Sequence, residues 1–234
     1  VQNSFDDSLK YSYDNIVGTH TLLESCRLYG KIEKFIHIST DEVYGESALD
    51  DSEKKNELSI LCPTNPYAAT KAGAELLANS YRFSFNMPIV ITRGNNVYGP
   101  NQYPEKLIPR FIQLLNQNKK VTIQGDGSNV RGFLHVTDVA RAVDLILEKG
   151  DVGEIYNIGS DDHDEYTVQE IAHRLITLIH NTTDYEKHIE YVEDRPFNDK
   201  RYYISNAKVK ALGWTIEKPF STGLAELVEL SKKA

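Results

Sequence analysis

Methionine is nearly missing from this sequence. Met87 is the only one in 234 residues, and the chain opens on Val1. A translated chain starts with Met unless it is processed, and residues 1–20 are too polar and too charged for a signal peptide. The expectation is that the natural N-terminal part is lost or not included. Long apolar runs are missing too: none approaches the roughly 20 residues of a membrane helix. Positive charge is scarce, with 26 Lys and Arg against 34 Asp and Glu and a net charge of −8. A field of that sign repels nucleic acid and anionic membrane, so neither is an expected partner. A phosphate-bearing ligand would need a local basic pocket. The two cysteines, Cys26 and Cys62, make neither a disulfide framework nor a metal pattern. They read as free thiols in a reducing, cytoplasmic compartment. The histidines show no ligand spacing, so no metal is expected.

What is present is an alternation. Residues 34–39, 88–92, 121–124 and 154–158 read as short strands rich in β-branched and aromatic residues. Between and after them, 15–28, 67–85, 105–117, 137–149, 166–180 and 219–233 carry helical periodicity. Thr137 and Thr167 look like helix starts, the second with Glu170 as a capping box. Gly30, Gly150 and Gly213 look like helix ends. Strands alternating with helices predict an α/β fold with a mainly parallel sheet. The second half is less regular and predicts a smaller α/β lobe. Residues 46–64 are polar and loop-like, directly after a strand, where α/β proteins keep site-forming loops.

Two constellations could carry chemistry. Tyr67 and Lys71 stand at i and i+4, so on a helix they share a face. An ammonium there favours phenolate and makes a base usable near neutral pH. Alone, the spacing equally suits a solvated lysine beside a packed tyrosine. The second is Thr40-Asp41-Glu42, which follows the first strand at its C-terminal end, where α/β sheets place ligands. Adjacent strand residues face opposite ways, so both acids can face one substrate only if the chain has left the strand. Gly45 permits that turn. A solvated acidic turn capped by Thr40 accounts for the same residues.

The run of STDEVYG, NPYAATK, RGNNVYGPNQYPEKLIPRFI, GDGSNVRGFLHVTDVA, YNIG and DRPFNDKRY resembles the nucleotide-sugar 4,6-dehydratases of the extended short-chain dehydrogenase/reductase superfamily. The similarity covers essentially all 234 residues. Its specific mark is Asp41-Glu42, where related epimerases usually carry a small hydroxyl residue. RGNNVYGPNQ and RPFND look more like the UDP-glucose dehydratases of rhamnose synthesis than the bacterial dTDP-glucose enzymes, which tend to read SNNYGPYHFPEK and RPGHD. One departure is large: the family's GxxGxxG turn, which cradles the NAD pyrophosphate at a helix N-terminus, is not in this sequence. Val1 matches a point about 80 residues into the family's sequence, judged from βαβ units of roughly 30 residues.

The resemblance implies a Rossmann-like parallel sheet with a smaller C-terminal substrate-binding lobe. Residues 1–94 would be the rest of the NAD-binding domain, and 95–234 mainly the sugar-nucleotide lobe, with a return of 154–158 to the main sheet left open. It implies NAD as cofactor, touched by Asn15, Tyr67 and Lys71. It implies that NAD accepts a hydride from C4 of a nucleoside-diphosphate glucose, water leaves from C5–C6, and the hydride returns to C6. Tyr67 would take the O4 proton with Lys71 lowering its pKa. Thr40 would hydrogen-bond O4, Glu42 would remove the C5 proton, and Asp41 would protonate the leaving O6. Substrate contacts would come from Thr40, Asn96, Lys106, Leu107, Arg131, Asn157, Arg195 and Asn198. A homodimer would form through helices 5–28 and 67–85, with Leu22, Leu76 and Leu77 between subunits. A nucleotide-sugar epimerase or decarboxylase of the same superfamily, or a non-catalytic dimerisation or binding module, are the alternatives. The base of the nucleotide stays open.

Overall fold

The computed structural model describes residues 1–50 and 52–232. Lys233 of the expected final helix and Asp51 of the 46–64 loop lie outside the described residues. The first sheet has three parallel strands in the order β1-β2-β6: β1 (Phe35–Thr40), β2 (Ile89–Gly94) and β6 (Ile155–Ile158). The register runs from Phe35 opposite Ile89 to Thr40 opposite Gly94, and from Ile91 opposite Ile155 to Gly94 opposite Ile158. β2 is buried along almost its whole length, as a parallel strand covered on both faces must be. The strand at 155–158 thus lies in the same sheet as 35–40.

Helical chain precedes the sheet: α1 (Gln2–Asp6), α2 (Ser8–Tyr11), a π-helical turn (Ser12–Val17) and α3 (Gly18–Tyr29). α3 stops at Gly30, whose φ of 69° is left-handed. α4 (Pro66–Phe85) starts where Asn65 accepts from the Ala68 N–H at 2.9 Å and Pro66 supplies the first helical φ. Leu23, Ala78, Tyr81, Met87, Ile89 and Ile91 form the core between these helices and the sheet. Leu77 is half-buried against that core, whereas Leu22 and Leu76 are exposed.

The second half adds β3 (Asn96–Tyr98), α5 (Leu107–Asn116), β4 (Val121–Gln124), β5 (Val130–His135), α6 (Val136–Lys149), β7 (Glu165–Thr167), α7 (Val168–His180), β8 (Ile189–Val192), α8 (Ala207–Ala211) and α9 (Phe220–Ser231). β3 runs parallel to β5, β5 antiparallel to β7, and β4 parallel to β8. A separate core of Phe111, Leu115, Ile123, Leu175 and Leu224 holds α5, α7 and α9 on these strands. The Thr167–Glu170 capping box is present. α6 is capped by His135, not Thr137: the His135 ring accepts the Thr137 N–H at 3.3 Å. Residue 166, expected to open a helix, belongs to β7. Among the described residues no helix is long and apolar enough to cross a membrane.

Candidate active site

Thr40 ends β1 and caps a single 3-10 turn, Asp41–Tyr44, its hydroxyl accepting the Glu42 N–H at 3.3 Å. The chain has left the strand, so Asp41 and Glu42 no longer alternate across it. Gly45 makes the exit possible. Its φ is 77°, and a Cβ there would overlap the Cys62 carbonyl oxygen.

The two carboxyls occupy different surroundings. Asp41 is 2% exposed. Its Oδ2 accepts from Asn95 Nδ2 at 2.6 Å and its Oδ1 faces the Thr40 hydroxyl at 3.1 Å. Burial, then the charge of Glu42, raise its pKa to about 7, against the opposing pull of Asn95, Thr40 and Arg131. Glu42 is half-buried. Its Oε2 accepts from Asn65 Nδ2 at 3.0 Å and lies 3.4 Å from the Tyr202 hydroxyl. That hydroxyl donates to Asp199 Oδ2 at 2.5 Å, and Asp199 Oδ1 accepts from Thr64 at 2.6 Å. An acid whose pKa is raised to about 7 thus sits beside a second carboxyl held by side-chain donors, a pairing that acid–base chemistry can use.

Tyr67 stands in the first turn of α4 with its ring edge-on to Tyr11. Its phenol does not behave as expected. Burial, then the charges of Glu42 and Asp41, push its pKa well above the ordinary value, and only the Thr40 hydroxyl opposes them. Lys71 donates instead to the Ile38 carbonyl at 2.7 Å, and burial lowers its own pKa. Asn15 donates to Thr70 Oγ1 at 2.9 Å, so its side-chain nitrogen ties the π-helical turn to α4.

The end of β1 fits the nicotinamide side of a dinucleotide. An ammonium has three donors, and Ile38 takes one of those on Lys71. Tyr67 stands one helical turn before Lys71 on α4. His37 Nε2 and Ser39 Oγ on the same strand are buried with no hydrogen-bond partner among the described residues. Burial, then Lys71, hold the His37 pKa down at about 4, so the ring is neutral there.

At the other end, Arg131 and Arg195 both donate to Asn198 Oδ1. Arg131 also donates to the Val130 carbonyl at 2.8 Å and lies 4.9 Å from the centre of the Tyr202 ring. Burial, then the like charge of Arg131, lower the pKa of Arg195, and its buried Nε has no partner among the described residues. Two guanidiniums on one amide oxygen form an electropositive seat for an anion. Lys106 caps α5 and is exposed, with Leu107 half-buried behind it. The charge of Glu42 acts on Arg195 and that of Arg131 on Asp41, so this seat and the carboxyl pair share one neighbourhood.

The structure separates two expected substrate residues. Asn96 is exposed on β3. Asn157 is fully buried: its Oδ1 accepts from Tyr44 at 2.8 Å and its Nδ2 donates to the Lys55 carbonyl at 3.4 Å. Both ends of that amide are engaged inside the protein. Sequence reasoning missed Asn65, Asn95, Asp199 and Tyr202. Asn65 carried a signal, as an Asn-Pro helix start directly before Tyr67.

A model of the GDP-mannose 4,6 dehydratase family matches residues 1–227. The chain is 50% identical over 229 residues to a trifunctional UDP-glucose 4,6-dehydratase/UDP-4-keto-6-deoxy-D-glucose 3,5-epimerase/UDP-4-keto-L-rhamnose-reductase of Arabidopsis thaliana, covering 98% of this chain and 34% of that protein. It is 45% identical over 253 residues to a dTDP-D-glucose 4,6-dehydratase of Dictyostelium discoideum, covering 92% of this chain and 58% of that one. The crystal structure of DesIV, a dTDP-glucose 4,6-dehydratase from Streptomyces venezuelae with NAD and TYD bound, superposes with a TM-score of 0.93 at 37% identity. That match covers 100% of this chain and 70% of DesIV. The chain spans about a third to under two thirds of the length of these curated relatives.

Proposed function

The chain belongs to the GDP-mannose 4,6 dehydratase family, and on that footing we propose that it is the catalytic part of an NAD-dependent nucleotide-sugar 4,6-dehydratase, a hydro-lyase. As substrate we favour UDP-glucose, with dTDP-glucose next. One observation carries the reading: a buried Asp41, its pKa raised to about 7, beside Glu42 at the end of β1, with the Tyr67 phenol close enough for the charge of either carboxyl to act on it. A 4-epimerase has no elimination to perform and no use for such a pair.

Bound NAD supplies the hydride acceptor at C4 and the donor at C6. The protein supplies the proton movements. Tyr67 takes the O4 proton while Thr40 hydrogen-bonds O4. Protonation of Asp41 removes one of the charges that oppose phenolate. Glu42 removes the C5 proton, acidified once C4 is a ketone, and Asp41 protonates the departing O6. Arg131, Arg195 and Lys106 bind the diphosphate. The test is incubation of the full-length protein with each sugar nucleotide and NAD. A 4-keto-6-deoxy product supports the reading, whereas a C4 epimer or no turnover overturns it.

We also propose a homodimer in a cytoplasmic setting. Leu9, Tyr13, Val17, Leu22, Leu76 and Phe83 expose apolar surface on the helical stretches before the sheet and on α4. A self-complementary contact would cover it. A sedimentation mass of one chain for the full-length protein removes this claim.

A further inference from the structure

Two side-chain amides flank the carboxyl pair, and each has its oxygen engaged by a backbone N–H. Asn95 Oδ1 accepts from Ser160 N at 2.9 Å, and Asn65 Oδ1 accepts from Ala68 N at 2.9 Å. An amide fixed at its oxygen presents only its NH₂ to other neighbours. Asn65 points that group at Glu42 Oε2 and Asn95 at Asp41 Oδ2, the latter at 2.6 Å. Asn95 is buried on the chain between β2 and β3, far in sequence from both partners it joins.

A neutral carboxyl has one carbonyl oxygen and one hydroxyl oxygen. The carbonyl is the stronger acceptor, so a short N–H contact selects which is which. We infer that Asn95 is a positioning residue that fixes Asp41 Oδ2 as the carbonyl and places the acid proton on Oδ1, beside the Thr40 hydroxyl. The inference deepens the proposed dehydratase reading and rests on it for its catalytic meaning. The charged and titratable groups facing Asp41 are Glu42 on its own turn, Arg131 from β5 and Tyr67 from α4.

The placement has a chemical use. In the elimination the C5–H bond breaks and its proton goes to Glu42. That electron pair forms the C5–C6 double bond, the C6–O6 bond breaks, and O6 takes the Oδ1 proton and leaves as water. Asp41 is left a carboxylate, and its contact with Asn95 becomes charge-assisted. That contact is stronger after proton transfer than before it, so it lowers the barrier and does more than tighten binding.

The test uses full-length protein and two readouts. The first is the infrared carbonyl band of neutral Asp41, assigned by its loss in Asp41→Asn. In Asn95→Ser this band moves to higher wavenumber, because the carbonyl loses its donor. The second is the pH profile of dehydration. Losing the Asn95 donor makes Asp41 a weaker acid, so the alkaline limb moves up by about one pH unit while kcat falls. A general packing defect lowers kcat and leaves the limb in place. An unmoved band, or a moved band with an unmoved limb, overturns the inference. If Asn95→Ser does not fold, the wild type answers: the Asn95 side-chain amide NMR resonance titrates with the Asp41 band, and an invariant resonance overturns the inference. A band shift in Asn95→Ser together with a wild type that dehydrates neither sugar nucleotide defeats the dehydratase reading and leaves the Asn95 placement standing.

Discussion

The Arg93 guanidinium and the Glu75 carboxylate pair inside the protein, Nη2 to Oε2 at 2.7 Å, with side chains 4% and 0% exposed. Glu75 lies on α4 one turn beyond Lys71. Arg93 also donates to the Tyr44 hydroxyl at 2.7 Å, and Tyr44 belongs to the turn that carries Asp41 and Glu42. One guanidinium therefore fixes the helix of Tyr67 and Lys71 against the turn of the two acids. Removing one partner of a buried pair strands the other charge, at a cost of about 3–5 kcal/mol. Glu75→Ala should lose that much in urea unfolding. A loss under about 1 kcal/mol would show that the pair is dispensable.

Much of this was readable from residue order, and the rest fails for identifiable reasons. The strands Phe35–Thr40 and Ile89–Gly94 are compact β-branched runs, and Asp41-Glu42 follows one of them without a gap. Val130–His135 is a strand that carries Arg131, Gly132 and His135, so it shows neither alternation nor an apolar run. Pairing with β3 and β7 makes it a strand, and pairing is invisible locally. Asn95 and Asn96 are adjacent and chemically identical. Only the fold decides that the first reaches Asp41 and the second faces solvent. The phenol of Tyr67 departs from expectation because burial and two carboxyls raise its pKa, while the Lys71 ammonium donates to the Ile38 carbonyl.

The guanidinium pair predicts a binding defect. Arg195→Ala should raise KM for the sugar nucleotide by roughly 10- to 100-fold, the worth of a hydrogen bond to a charged group. Titration of the nucleoside diphosphate by calorimetry should show the same loss. Arg131→Ala should lose more than binding, because Arg131 also holds the Val130 and Lys200 carbonyls and packs on Tyr202. A KM for Arg195→Ala within a factor of about two of wild type would place the diphosphate elsewhere.

Asp41 should make stability depend on pH. Its folded pKa, about 7, is above the ordinary aspartate value of 3.8. A raised carboxyl pKa means the folded state holds the proton more tightly. Its stabilising contribution is complete below about pH 4, falls as pH rises, and is gone just above pH 7. Asp41→Asn has no charge to bury. The Tm difference between Asp41→Asn and wild type should therefore open from pH 4 upward and level off above pH 7, having changed by roughly 10 °C in favour of the variant. A difference that is flat across this range would mean that Asp41 is already ionised in the folded protein.

The two acids should be separable by solvent exchange, because they act on different atoms. Glu42→Gln keeps the volume and the contact with Asn65 but cannot take a proton. Deuterium wash-in at C5 from heavy water should disappear, and turnover should fall by about 10²- to 10⁴-fold, the usual worth of one positioned acid or base. Asp41→Asn leaves Glu42 in place but cannot protonate O6. Exchange at C5 should therefore persist while water loss stops. Tyr67→Phe should block both, because without the ketone at C4 the C5 proton is not acidic, yet the sugar nucleotide should still bind through Arg131 and Arg195. Exchange that survives Glu42→Gln would assign the base elsewhere. Normal turnover in Glu42→Gln would reduce the acidic pair to a solvated turn and favour an epimerase or a decarboxylase built on the same fold.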